Sequence, residues 1–248
     1  TGASVFVGLD NYKQLFADPT FQLVFKNTIE FTLACLVVQF TIGFLFAMFF
    51  SKKFTLAGPI RGLVLVGYMM PMSVTALLGK NLFLLDGGVI NDLLMKVHLI
   101  SSPIDWLVNG GTALGAVIAV NCWVGIPFNM LLLTSGLTGI STDIYESASM
   151  DGANAFKRFI YITLPLMKPA MLSVLMLGFI YTFKAFDLMY IMTAGGPFNS
   201  TDVLGTYAYS KAFTQYEFSQ GSAIAMVLFA CLFLVGIFYL KLLSKEDD

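Results

Sequence analysis

Residues Asn27–Phe50 read NTIEFTLACLVVQFTIGFLFAMFF, an apolar run whose one charged side chain is Glu30. A bilayer core about 30 Å thick is crossed by roughly 20 mainly apolar helical residues, so this run makes lipid the solvent of the fold. Four further runs meet the same length: Arg61–Phe83, Gly111–Thr134, Pro169–Met192 and Ser219–Leu243. The composition agrees. Of 248 residues, 57% are apolar or aromatic and 12% charged, about half the charge of an ordinary soluble domain, and the mean hydropathy is +0.80. The expected fold is an all-α membrane protein with five transmembrane helices over residues 27–243.

Several chemistries drop out at once. A net charge of −1 leaves no basic face for nucleic acid. Cys35, Cys122 and Cys231 lie far apart inside apolar runs, and His98 is the single histidine. This is neither a disulfide framework, a zinc spacing nor a histidine-based triad, so no metal ligand and no catalytic residue is expected. Gly79-Lys80-Asn81 lacks the upstream glycine and the Ser/Thr of a phosphate-binding loop; the chain has no ATPase of its own.

Lysine and arginine are retained preferentially on the cytoplasmic side. One alternating set of connections holds Lys52, Lys53, Arg61, Lys157, Arg158, Lys168, Lys241 and Lys245, the other Lys13, Lys26, Lys96 and Lys211. The first set is expected inside, with residues 1–26 an external segment and 244–248 a cytoplasmic tail. An odd number of spans with an external start predicts a further helix upstream of this sequence. Pro71 and Pro127 fall inside the second and third spans, either as packing kinks or as pathway-lining breaks. Gly111, Gly115 and Ala119 recur every four residues, a small face for a close helix neighbour.

The connection Ser135–Lys168 is too long for a tight turn and too helical in pattern for a linker. Asp143 with Glu146 three residues later has the form of a capping box, Gly152 marks a turn, and Phe156, Phe159 and Ile160 share one face of a second helix that Leu164-Pro165 is expected to stop. Within it, Glu146, Ala148, Gly152, Ile162, Leu164 and Pro165 reproduce the spacing of the EAA loop, with Ser147 standing where that motif has its first alanine. The chain thus resembles the permease subunits of binding-protein-dependent ABC importers. Phe6–Tyr12, Trp123–Pro127 with Leu131–Leu133, Phe186-Asp187 with Tyr190, and Thr193–Pro197 with its Gly-Gly-Pro extend the resemblance. Together they are similar to the maltose, lactose and glycerol-phosphate permease type within the sugar-importer branch.

That resemblance implies a six-helix type I permease core, a bacterial inner membrane, and transport of a sugar by alternating access. It implies that the first loop helix docks in a separate ATPase through Glu146, Ser147, Ala148, Asp151 and Gly152, while Glu146 alternatively only closes the capping box. The implied partners are a second permease subunit, as a heterodimer, two ATPase subunits that hold the ATP and magnesium, and an external solute-binding protein. The Gly195-Gly196-Pro197 loop with Tyr207 and Tyr209 is the implied contact for that binding protein; an interfacial aromatic belt is the alternative for the tyrosines. A sugar needs stacking faces and two-way hydrogen bonders, and Gln39, Tyr68, Asn121, Trp123, Asn129, Tyr181, Phe186, Asp187 and Tyr190 are the candidate pathway residues. Ionisable groups within spans are functional candidates: Lys184 and Asp187 are placed to pair on one helix face, and Glu30 to reach the interface. An ion-coupled secondary transporter using these three is the alternative function.

Overall fold

The computed structural model describes residues 6–52 and 55–244; Lys53, Lys245 and the rest of the expected tail lie outside the described residues, as do residues 1–5. Among the described residues every regular element is helical. In chain order these are α1 Asp10–Ala17, α2 Pro19–Phe50, α3 Ala57–Met69, α4 Met72–Leu82, α5 Val89–Lys96, α6 Ala113–Thr138, α7 Thr142–Met150, α8 Ala155–Arg158, α9 Leu164–Phe183, α10 Asp187–Met192, α11 Leu204–Tyr209 and α12 Phe218–Ser244. π-Helical turns at Phe159–Thr163 and Ser210–Thr214 follow α8 and α11. Four runs are long and apolar enough to cross a membrane: α2, α6, α8 through α9, and α12; α3 with α4 makes a fifth when taken as one broken span.

Local chemistry explains where these helices start and break. α2 begins eight residues before the expected span because Asp18 accepts the Thr20 N–H at 2.9 Å, a side-chain cap, and Pro19 fills a first position that needs no N–H. Met70 is extended, at φ −76 and ψ 136, and Pro71 caps α4, as expected for a residue held ahead of a proline. Pro127, by contrast, lies inside an unbroken α6.

The fourth span departs from expectation at both ends. Leu164-Pro165 does not stop a helix: α8 passes through the π turn into α9, so the run is Ala155–Phe183. A wider turn moves the carbonyl that a proline ring would otherwise strike. The run then ends at Phe183, and Phe186, at φ −132 and ψ −61, separates it from α10.

Two compact units divide the described residues. The first comprises the chain up to Leu33, Pro71–Asn121 and Tyr181–Val235. In it α10 packs along α4, and Phe21, Val24, Phe31, Val117, Met189 and Ile224 are among its buried side chains. Asn91, 1% exposed, organises the loop around α5: its amide donates to the Leu84 and Ile104 carbonyls, and its oxygen accepts the Ile104 N–H and the Trp106 indole N–H. The second unit comprises Ala34–Met70, Cys122–Ile180 and the chain from Gly236. Its core joins Phe44, Ala47, Leu133, Met167 and Val174. α2 and α6 approach so closely there that a Cβ on Gly43 would lie 2.6 Å from Cβ of Asn129, and one on Gly125 would collide with the Gln39 amide.

Candidate functional site

Within the second unit, α7 is a short, solvent-facing helix with defined ends. Ser141, not Asp143, is its cap: the Ser141 hydroxyl accepts the Asp143 N–H at 3.3 Å. Asp143 therefore lies in the first turn, where a negative charge suits the helix dipole, and no capping box ties Glu146 down. Glu146 is exposed and makes no hydrogen bond or ion pair among the described residues. At the other end Ala153 N–H donates to the Ala148 carbonyl and Gly152 N–H to that of Ser149, a Schellman stop. Gly152, at φ +80, takes the left-handed position that glycine occupies without strain. Asp151 is the C-cap.

One side of α7 is anchored and the rest is open. Tyr145 and Thr163 hydroxyls lie 2.9 Å apart, Arg158 donates to Ser149 Oγ at 2.7 Å, and Ser149 Oγ donates to the Tyr145 carbonyl. The anchor leaves Glu146, Ser147, Asp151 and Gly152 exposed and Ala148 half-buried. Beside them Met150 is 90% exposed, and Phe156 and Tyr161 are also exposed. Small residues flanked by open apolar side chains and the Glu146 and Asp151 carboxylates form a surface suited to a protein partner.

In the first unit the Gly-Gly-Pro loop is held by its own hydroxyls and by α2. Thr201 Oγ1 donates to the Gly196 carbonyl and lies 2.7 Å from Thr193 Oγ1. The Asn27 amide donates to the Asn199 and Asp202 carbonyls, and Leu204 N–H donates to Thr28 Oγ1. Gly195 is itself buried, and a Cβ there would lie 2.7 Å from the Asp202 carboxylate. Burial pushes the Asp202 carboxyl up, only partly offset by the hydrogen bond from Thr206. The Gly196-Pro197 peptide is cis.

Of the residues expected at an external partner, Gly195 and Tyr207 are turned inward. Tyr207 is 5% exposed and its hydroxyl donates to Asp18 at 2.8 Å, because α11 packs into the unit on its Tyr207 side. Gly196 and Pro197 are half-buried, and Tyr209 is exposed. The loop's most prominent side chain is Phe198, 96% exposed, which the sequence reading passed over; an apolar residue next to a Gly-Pro turn was the available signal.

The pathway candidates fall into separate groups. In the second unit Gln39 and Asn129 are both buried and meet at Gly125, whose carbonyl accepts from Asn129 at 2.8 Å; they serve the α2–α6 contact. Tyr68 stacks on Phe128, and Trp123, 64% exposed, lies against Gly67. In the first unit Phe186 stacks on Tyr190, and both meet Tyr209 at about 5 Å between centroids, which Phe213 extends. Asp187 stands exposed beside this cluster at the start of α10, and Asn121 is buried on α6. Tyr181 is exposed with the Lys184 ammonium 5.5 Å from its ring centroid. The expected Lys184–Asp187 pair is absent because the helix breaks between them. Glu30 pairs with Lys26 at 3.4 Å on an exposed face.

A family model described as binding-protein-dependent transport system inner membrane component matches residues 39–245. The sulfoquinovosyl glycerol transport system permease protein SmoG of Agrobacterium fabrum is 32% identical over 98% of this chain and 78% of that protein. The trehalose/maltose transport system permease protein MalF of Thermococcus litoralis is 31% identical over 95% of this chain and 79% of its own. Among solved structures, a bacterial ABC transporter involved in import of the acidic polysaccharide alginate has a TM-score of 0.88 at 19% identity, covering 99% of this chain and 86% of that one, which shows the same fold. These likenesses give no support to an ion-coupled secondary transporter, and Lys184, Asp187 and Glu30 form no buried relay. The chain is a non-catalytic transport subunit that belongs to the family of binding-protein-dependent transport system inner membrane components.

Proposed function

We propose that this subunit conducts a sugar or oligosaccharide delivered by an external solute-binding protein, driven by ATP hydrolysis in a partner that docks on α7. The observation that carries the reading is α7 itself: capped at Ser141, stopped at Gly152, anchored through Tyr145, and otherwise open with Glu146 unpaired. A helix held at both ends transmits a push as a rigid lever. Glu146, Ser147, Ala148, Asp151 and Gly152 are the docking residues, and ATP and magnesium belong to the partner ATPase.

The relatives named for sulfoquinovosyl glycerol and for trehalose and maltose support a glycosidic substrate. The Phe186, Tyr190 and Tyr209 rings offer the stacking faces it would use. The excess of lysine and arginine in one set of connections supports a cytoplasmic α7 and C-terminal end and an external Gly-Gly-Pro loop, where Phe198 and Tyr209 would meet the binding protein. A second, different permease subunit completes the assembly.

ATP-dependent uptake of a panel of labelled mono- and oligosaccharides, by vesicles carrying the assembled complex with its binding protein, tests the reading. Uptake of at least one glycoside, abolished by Gly152→Pro with the ATPase still copurifying, is expected. Uptake that survives Gly152→Pro removes the role of α7, and ATP-independent uptake removes the mechanism.

A further inference from the structure

Two adjoining pockets in the second unit carry more positive charge than the fold itself uses. One, of about 530 Å³, is lined in part by Lys52, Thr55 and Arg61. The other, of about 250 Å³, is lined in part by Lys52, Arg158, Tyr145 and Thr163. Ser51 and Lys52 line both. Among the described residues neither lining includes a carboxylate, and Lys52 and Arg61 make no ion pair. Lys52 thus stands between a pocket shared with Arg61 and one shared with Arg158, and like charges grouped with hydroxyl donors and no acidic partner among the described residues repel one another unless an anion is present. The chemistry is that of a phosphate site: hydroxyls and a guanidinium donate hydrogen bonds, and the ammonium supplies a compact charge.

We propose that these pockets bind a phosphate group, and that its source is the head of an anionic lipid. The second pocket has an apolar wall of Met48, Leu137 and Phe159, and Lys52 stands just past Ser51 at the end of the apolar α2. A polar cradle opening beside apolar side chains at the end of a membrane-length helix fits a molecule that is half headgroup and half acyl chain. The site has a mechanical consequence. Arg158 also donates to Ser149 on α7, so the headgroup and α7 share one guanidinium, and an occupied site stiffens the loop that carries the lever. The inference rests on the chain being a membrane subunit and not on the identity of the transported solute.

The test uses the assembled complex in nanodiscs of phosphatidylcholine alone or with phosphatidylglycerol, and counts retained lipids by native mass spectrometry. No uptake is measured, so its failure and failure of the sugar reading are distinguishable. The wild type is expected to retain phosphatidylglycerol selectively. Lys52→Gln and Arg158→Gln are each expected to weaken retention about fivefold, and together about 25-fold, while Lys52→Arg with Arg158→Lys restores it. A second arm titrates inorganic phosphate into phosphatidylcholine discs: binding there that Lys52→Gln abolishes supports the phosphate site and assigns it a soluble source. Equal retention of the two lipids with no phosphate binding, or selective retention unchanged in the double glutamine variant, overturns the proposal.

Discussion

The hydroxyl of Tyr145 on α7 lies 2.9 Å from that of Thr163 in the π turn, so the helix offered to a partner is fastened by its side chain to the membrane run that follows. Removing one hydroxyl forfeits a hydrogen bond with a net value of about 1 kcal/mol. Tyr145→Phe should raise local opening of residues 142–150 about fivefold, read by amide hydrogen exchange of the assembled complex, with α2 and α6 unchanged. Adding Thr163→Val should cost less than the sum of the two single changes, since both remove the same bond. Full additivity would show the contact to be idle.

Gly152 stops α7 at φ +80 with open space around its Cα, so a side chain there meets strain of backbone origin and no clash. Gly152→Ala is expected to cost about 1 kcal/mol, and Gly152→Asn less, because asparagine tolerates the left-handed region. The matching readout is ATP hydrolysed per solute transported: Asn near wild type, Ala raised, Pro highest. An inverted order would mean that volume, and not conformation, matters at this position.

What could be read from sequence was what depends on neighbours along the chain. Hydropathy located the apolar runs but not the ends of the first and fourth, and the spacing from Glu146 to Pro165 located α7 and its glycine stop, because caps and turns are local chemistry. Leu164-Pro165 misled because a π turn absorbs a proline that an α-helix does not. The break at Lys184–Phe186 carries neither proline nor glycine and left no signal. Tyr207 and Asp18 are separated by 189 positions, and nothing local distinguishes a tyrosine facing Asp18 from one facing a partner. Asn91 escaped notice for the same reason: its partners lie up to 15 residues away, in a loop whose course the pattern does not fix.

Gly43 and Gly125 both allow α2 and α6 to touch, yet they should not respond equally. A Cβ on Gly43 meets Cβ of Asn129 at 2.6 Å and the Met130 backbone at 3.1 Å, neither of which can swing away, whereas one on Gly125 meets the end of the flexible Gln39 side chain. Gly43→Ala should therefore lower the melting temperature of the detergent-solubilised complex more than Gly125→Ala, by an overpacking cost of about 1–3 kcal/mol. In Gly125→Ala, pairing with Gln39→Ala should recover the loss; no such rescue is expected for Gly43→Ala.

The Tyr207–Asp18 bond predicts a pH dependence with a definite sign. Burial works against the Asp18 carboxylate, but the hydrogen bonds from Tyr207 and Thr20, helped by Lys211, outweigh it and hold the group below its usual range. Tyr207 is raised, first by burial and then by Asp18. A lowered carboxyl stabilises the fold above its unfolded value of about 4, and that contribution disappears as pH falls through the lowered native value. A raised phenol stabilises the fold below about 10, and its contribution disappears only as pH climbs through the raised native value. Between about pH 5 and 9 both are intact, so Tyr207→Phe should cost a constant amount there, about 1 kcal/mol for a half-exposed carboxylate partner. Thermal melting of the wild type and Tyr207→Phe across the acid range should show the two curves drawing together as pH falls below about 4 and through the lowered native value of Asp18. An offset that stays the same down to the acid limit of folding would mean that the phenol acts through packing alone.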